Sequence, residues 1–133
     1  MPRVSIAFFV FAALCGLTGM GWGIWMGMAE NHQTLTAHAH LNLIGWVSCA
    51  LMGGFYALVK ERAGSKLAWM NFGLVSGGVV VMIPSLAAMM SGVDLPGILP
   101  AAILGSIAVF VGMATFTINV LIAAMCANQP VQA

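Results

Sequence analysis

Apolar residues fill four long runs of the chain, and short polar segments separate them. The runs cover approximately residues 4–28, 37–59, 67–90 and 97–125. Each is as long as the stretch of about 20 helical residues that crosses a hydrocarbon core. Inside such a core the backbone must satisfy its own hydrogen bonds, which favours helices. The pattern therefore predicts an all-α membrane protein, with four transmembrane helices joined up and down as a single domain over residues 1–133.

The composition excludes a soluble domain. Hydrophobic residues make up 62% of the chain and charged residues 5%, whereas soluble domains carry about 25% charged residues. The formal charge of +1 without a basic cluster excludes a nucleic-acid surface. Three cysteines lie in or beside apolar runs without a CxxC pair, and we interpret them as packing residues: Cys15, Cys49 and Cys126. The composition therefore predicts that most of the protein surface contacts the lipid bilayer.

The cations predict the orientation of the chain. All four Lys and Arg residues fall on one side of the helix layout: Arg3, Lys60, Arg62 and Lys66. The other side carries Glu30 and Asp94 but no cation, and positive charge marks the cytoplasmic side. We expect a multi-pass protein of the bacterial inner membrane with cytoplasmic N- and C-termini. The first run is too long for a signal peptide, so we interpret it as a retained helix.

Small residues and one proline mark helix contacts. Glycine recurs every fourth position on the first and third runs, at Gly19, Gly23, Gly27, Gly73 and Gly77. Such stripes allow close helix approach, either within one chain or between copies, and the sequence leaves both open. Pro84 is expected to kink the third helix in its outer half.

The candidate chemistry lies between His32 and Trp46. His38 and His40 fall in the first turns of the second helix, which Thr34 or Thr36 is placed to cap. Side chains two residues apart point about 200° away from each other, so these rings cannot chelate one metal from one chain. The positive end of the helix dipole favours a neutral imidazole, the form that binds metals. We predict both as metal ligands, although histidines at a helix end are also ordinary interfacial residues.

Three neighbours complete the predicted cofactor site. Asn42 lies one turn below His38, where it can support the ring as an outer partner. Gly45 lies a further turn down and is expected to leave room for a flat group, which Trp46 would line. His32 belongs to a loop, and we interpret it as a solvated surface residue.

The segment His38-Ala-His40-Leu-Asn42-Leu-Ile-Gly45-Trp46 resembles one in the heme–copper oxidase superfamily. It is also similar to segments of NnrS-type heme membrane proteins. Oxidase subunit I has three arcs of four helices, and the chain resembles one arc. The resemblance implies heme b, since no CxxCH is present for covalent attachment. It also implies a homo-oligomer, possibly a trimer, with iron between His38 of one subunit and His40 of its neighbour.

The chain departs from the oxidases at their copper site. The third and fourth runs contain no histidine, and the single tyrosine, Tyr56, lies near the cytoplasmic end of the second. The resemblance thus implies electron transfer or gas or redox sensing with an unknown redox partner, without oxygen reduction. Enzymatic activity stays open.

Two alternatives compete with heme. Thioether and imidazole groups together select Cu(I), and several lie at the predicted outer face: Met26, Met28, His32, Met89 and Met90. Methionine is also an ordinary apolar filler, so a structural subunit without a cofactor is the third interpretation.

Overall fold

The computed structural model describes residues 1–127 of the chain. Four helices organise them, namely α1 (Arg3–Met28), α2 (Leu35–Leu58), α3 (Lys66–Met90) and α4 (Ile98–Ala127). All four are long and apolar enough to cross a membrane, which confirms the predicted all-α, multi-pass membrane protein. The predicted cytoplasmic C-terminus, at 128–133, lies outside the described residues.

Short connections join consecutive helices into antiparallel neighbours. Ser5 at the start of α1 donates a hydrogen bond of 2.7 Å to the carbonyl oxygen of Gly53, near the end of α2. A single helical turn, Lys60–Ala63, leads towards α3, whose first turn is capped by the Ser65 hydroxyl. Gly97 has a φ of 96° just before α4, a conformation that favours glycine. α3 continues without interruption through Pro84, and its predicted kink stays a prediction.

Glycines allow the most extensive helix contact, which is between α3 and α4. A methyl group on Gly78 would lie 2.7 Å from the carbonyl oxygen of Gly105, and one on Gly105 would lie 2.7 Å from the backbone nitrogen of Met82. No side chain fits between the two backbones at these points. The pair therefore packs through backbone contact, as small residues permit in membranes.

Aromatic rings join all four helices at the end where α1 begins. Phe8 of α1 stacks on Tyr56 of α2 at 5.8 Å between ring centroids and meets Phe72 of α3 edge-on at 5.1 Å. Phe116 of α4 lies 5.2 Å from Phe55 of α2. This cluster closes one end of the bundle.

Two buried asparagines cross-link the same end by hydrogen bonds. The Asn71 amide donates to the Gly112 carbonyl at 2.8 Å and accepts from the Tyr56 hydroxyl at 3.2 Å. The Asn119 side-chain oxygen accepts two bonds from the Arg62 guanidinium, at 3.0 and 3.3 Å. Both asparagines are fully buried. A buried amide in a membrane needs such partners, so these bonds set the register of α2, α3 and α4.

The second helix contains an unexpected element. Residues Leu35–His40 and Cys49–Leu58 are α-helical, but Leu41–Ser48 form a π-helix. The Ser48 hydroxyl accordingly donates to the carbonyl of Leu43, five residues earlier, at 2.8 Å. Sequence periodicity predicted an ordinary helix here. π-Helices are rare, mostly short, and frequent at functional sites, and this one begins directly after His40.

Candidate cofactor site

A backbone hydrogen bond orients His40. Its Nδ1 lies 2.8 Å from the carbonyl oxygen of Thr36, one turn earlier. A carbonyl oxygen can only accept, so Nδ1 carries the proton and the neutral ring keeps its lone pair on Nε2. A backbone carbonyl is also a usual outer partner of a metal-bound histidine. The contact therefore leaves Nε2 as the ring nitrogen of His40 that can bind a metal.

His40 opens onto a cleft of about 370 Å³ between α2 and α4, with Met82 of α3 contributing to its wall. Other apolar side chains line it, namely Ile44, Val109, Phe110 and Met113. Ser48 and Ser106 also line it, but each hydroxyl donates 2.8 Å to a carbonyl of its own helix. The serines thus offer no free donor proton, and the cleft presents one imidazole in an apolar surrounding.

His38 faces the opposite helix, α1. Its ring meets Trp22 edge-on at 6.2 Å between centroids, and a methyl group on Gly23 would lie 3.1 Å from its Cε1. The ring is half-buried. The two histidines thus contact different parts of the bundle, as their spacing predicts, and the chain does not bring their rings to one metal ion.

Asn42 sits beside His38 on the α1 side. Its amide nitrogen donates to the His38 carbonyl at 2.9 Å and lies 3.4 Å from both ring nitrogens. A methyl group on Gly19 would lie 2.5 Å from the Asn42 side-chain oxygen, so Gly19 makes room for this amide. The structure brings the predicted outer partner to its histidine, although the stronger bond goes to the backbone.

The expectation that Gly45 leaves room for a flat group is wrong. A methyl group there would lie 2.9 Å from the Cys15 sulfur and 3.0 Å from the Cys15 Cβ. The thiol of α1 already occupies the space, because α1 and α2 approach closely through small residues. Trp46 lies across Gly16, whose methyl group would be 3.0 Å from the indole. Gly45 and Trp46 therefore both belong to the contact between α1 and α2.

The glycine stripe of α1 therefore serves packing within the chain at two positions. Gly19 and Gly23 receive Asn42 and His38, whereas the Cβ position of Gly27 has no atom within 4 Å. The stripe of α3 differs, since Gly73 and Gly77 are both open. Of the two interpretations that the sequence left open, intrachain packing accounts for the first two glycines.

The methionines and histidine predicted to lie at the outer face have different surroundings. Met26 is buried, and its sulfur accepts a 3.5 Å hydrogen bond from the Thr34 hydroxyl. Thr34 takes the N-cap position of α2 but makes no side-chain capping bond, contrary to the predicted cap. Met28 is 83% exposed, and His32 is exposed as well. Within residues 1–127, no three His, Cys, Asp or Glu side chains are grouped to hold a metal ion.

Sequence reasoning missed the cleft walls and the polar cross-links. Asn71 and Asn119 could have been found as the amides inside apolar runs, where polar groups are expensive and need partners. Met82, Ser106 and Met113 carried no such signal, because α3 and α4 meet His40 only in the folded chain.

Comparisons with known proteins found no relative of the chain. No protein-family model matches the chain, and no curated protein or solved structure is significantly similar to it. The resemblance to the heme–copper oxidases thus rests on the nine residues from His38 to Trp46 and on the four-helix layout.

Proposed function

We propose that this chain binds heme b in the membrane, with His40 as an axial ligand of the iron. The observation that carries the proposal is the Nδ1–H bond of His40 to the Thr36 carbonyl, which leaves the Nε2 lone pair for a metal at the edge of an apolar cleft. A neutral histidine with its other nitrogen bonded to a carbonyl is the ligand that heme iron takes in many proteins.

The cleft suits the apolar macrocycle of heme. Its walls are aliphatic, aromatic and thioether groups, and the serine hydroxyls among them are already bonded to their helices. Lipid tails are as apolar as these walls, so a heme bound there would be favoured by close packing rather than by removal from water. The cleft is open along one side, so part of the surface of a heme bound there would have to be covered by another molecule.

A second copy of the chain supplies that cover in this proposal. His38 and His40 contact different parts of one bundle, so they can bind one iron when they come from two copies. Neither ring nitrogen of His38 is closer than 3.4 Å to its nearest side-chain partner, Asn42. A closed ring satisfies this geometry at every interface, and the oxidase resemblance makes it a trimer.

Bound heme would supply a one-electron iron couple. Ligation by His38 and His40 would favour electron transfer or redox sensing, and gas binding would require one histidine to leave. The cation distribution favours an orientation in which both termini would be cytoplasmic and the proposed site would lie near the outer face of a bacterial inner membrane.

The absorption spectrum of the purified protein tests the proposal. Protein made with an adequate heme supply is expected to show the Soret and reduced α/β bands of six-coordinate b-type heme. His40→Ala should lose the heme or leave five-coordinate iron that binds CO, whereas the exposed His32→Ala serves as the matched control and keeps the spectrum. Colourless wild-type protein, or an unchanged spectrum in His40→Ala, would refute the assignment.

Copper binding is a second candidate function, at the cleft beside His40 rather than at the methionines that the sequence analysis singled out. Met82 and Met113 line the same cleft as His40, and two thioethers with an imidazole suit Cu(I). This candidate predicts a colourless protein that binds one Cu(I) per chain. Met82→Leu and Met113→Leu should then weaken Cu(I) binding, while a heme protein would keep its axial His40 in both variants.

A further inference from the structure

A charged cleft of about 410 Å³ lies where the connection after α2 meets the last turns of α4. It is lined by Val59, Glu61, Arg62, Ala123 and Cys126. The cleft thus combines one cation, one anion and apolar wall groups. It lies at the opposite end of α2 from His38 and His40, so it is separate from the proposed heme site.

A buried asparagine holds the Arg62 guanidinium at this cleft. The Asn119 side-chain oxygen accepts from Nε at 3.3 Å and from Nη2 at 3.0 Å. The Asn119 amide nitrogen in turn donates to the Thr115 carbonyl at 3.0 Å, which fixes the amide on α4. A guanidinium carries N–H donors on all three nitrogens, and Nη1 takes no part in these bonds. Because Arg62 is half-buried and lines the cleft, an anion there can accept from it.

Glu61 adds a carboxylate to the same cleft. Glu61 and Arg62 belong to the single turn Lys60–Ala63, and adjacent side chains on a helical turn point about 100° apart. They therefore do not face each other. The exposed carboxylate can only accept hydrogen bonds, whereas the guanidinium can only donate them. A ligand that satisfies both groups carries an anion and a cationic donor, side by side.

The depth of the cleft indicates where such a ligand comes from. The membrane span Leu35–Leu58 contains 24 residues, which gives a length of about 36 Å. A hydrocarbon core is about 30 Å thick. The residues just beyond Leu58 therefore lie at the level of the lipid headgroups, with the apolar part of α4 extending into the core below them.

We propose that this cleft binds a zwitterionic phospholipid with a primary ammonium group, such as phosphatidylethanolamine. Its phosphate accepts from Arg62, its ammonium donates to Glu61, and its acyl chains follow the apolar surface of α4. Phosphatidylcholine lacks ammonium N–H donors, and phosphatidylglycerol brings a net negative charge towards Glu61. The site goes beyond heme binding and does not rest on it.

Native mass spectrometry of the purified full chain, titrated with the three lipids at equal acyl length, tests the proposal. The wild type is expected to retain one phosphatidylethanolamine per chain, with affinity about three- to tenfold above that for the other two lipids. Glu61→Gln should remove this preference, because the amide has lost the charge that attracts the ammonium. Arg62→Gln should weaken binding of all three lipids by a similar factor.

Two further variants separate a lipid site from general attraction to charge. Ala123→Trp should fill the cleft and abolish specific retention without touching the Arg62–Asn119 bonds, so the test stands even if Arg62→Gln fails to fold. Lys66→Gln removes an exposed cation that is not among the cleft residues and should bind lipid like the wild type. Equal retention of the three lipids by the wild type, or an unchanged preference in Glu61→Gln or Ala123→Trp, would overturn the proposal. Stronger retention of phosphatidylglycerol would also overturn it, since the site would then select net negative charge.

Discussion

At the scale of single residues, one hydrogen bond determines what His40 can do. The helix dipole argument indicates a neutral ring but does not say which nitrogen carries the proton. The 2.8 Å contact with the Thr36 carbonyl places the proton on Nδ1 and the lone pair on Nε2. Within residues 1–127, the ring nitrogens of His38 have only 3.4 Å contacts with the Asn42 amide, which donates a shorter bond of 2.9 Å to the His38 carbonyl. The two histidines are therefore chemically different although their sequence surroundings are alike.

Asn71 is the residue whose replacement should reveal the buried cross-link. Asn71→Leu keeps the branched shape and the number of heavy atoms but removes the bond to Gly112 and leaves the Tyr56 hydroxyl without its partner. We expect a loss of about 1–3 kcal/mol in the free energy of unfolding. Adding Tyr56→Phe removes the orphaned hydroxyl, so the double variant should lose no more than Asn71→Leu alone. Reversible unfolding in mixed micelles, followed by circular dichroism, measures this, and strictly additive losses would contradict it.

At the scale of elements, the π-helical segment determines which residues of α2 face α1. In a straight α-helix, residues eight apart drift by about 80° around the axis. A π-helix turns less per residue, because its hydrogen bonds span five residues. His38 and Trp46, eight apart, accordingly both lie on α1, against Gly23 and Gly16. The wider turn also carries Ile44 and Ser48 into the cleft beside His40.

The glycines of α1 supply a matched test of this contact. Gly19→Ala brings a methyl group to 2.5 Å from the Asn42 oxygen, so the amide must move and its 2.9 Å bond to His38 is disturbed. We expect a loss of about 1–3 kcal/mol in unfolding free energy. Gly27→Ala meets no atom within 4 Å and should be neutral or slightly stabilising. Equal effects of the two changes on thermal unfolding in detergent would contradict the role of the stripe.

At the scale of the whole molecule, the orientation in the membrane determines on which side the proposed heme site would lie. Assembly determines whether a second histidine ligand is available to it. The four helices alternate in direction, so the connections at 29–34 and 91–97 share one face and the connection at 59–65 lies on the other. The cations are concentrated on the latter face. The fold itself is compatible with either insertion, so orientation depends on the charges alone.

Accessibility of introduced cysteines measures the orientation. In a cysteine-free background, Gly64→Cys should react only after the cytoplasmic side is opened. His32→Cys and Asp94→Cys should react with impermeant reagent from outside. All three positions are exposed, so burial does not confuse the readout. Outside labelling at position 64 would reverse the orientation and move the histidines to the cytoplasmic face.

Mixed subunits test the shared heme. In the proposed oligomer, His38→Ala and His40→Ala would each remove one ligand from every interface, so neither homo-oligomer should show bis-His heme. Co-expressed, they form some interfaces with both ligands intact and should recover part of the six-coordinate spectrum. Ligation between copies would be refuted if mixed oligomers are proven to form but do not recover the six-coordinate spectrum. Six-coordinate heme in a monomer would refute it as well.

The four membrane helices could be predicted from the sequence, because hydropathy and helix length obey a local rule set by the bilayer. The separation of His38 from His40 followed equally from helix geometry. Three features required the tertiary structure. Cys15 fills the space at Gly45, and α3 and α4 complete the cleft at His40. The π-helix changes the direction in which the side chains of α2 point after His40. Each depends on how closely two helices approach, and that distance is decided by side chains far apart in the chain.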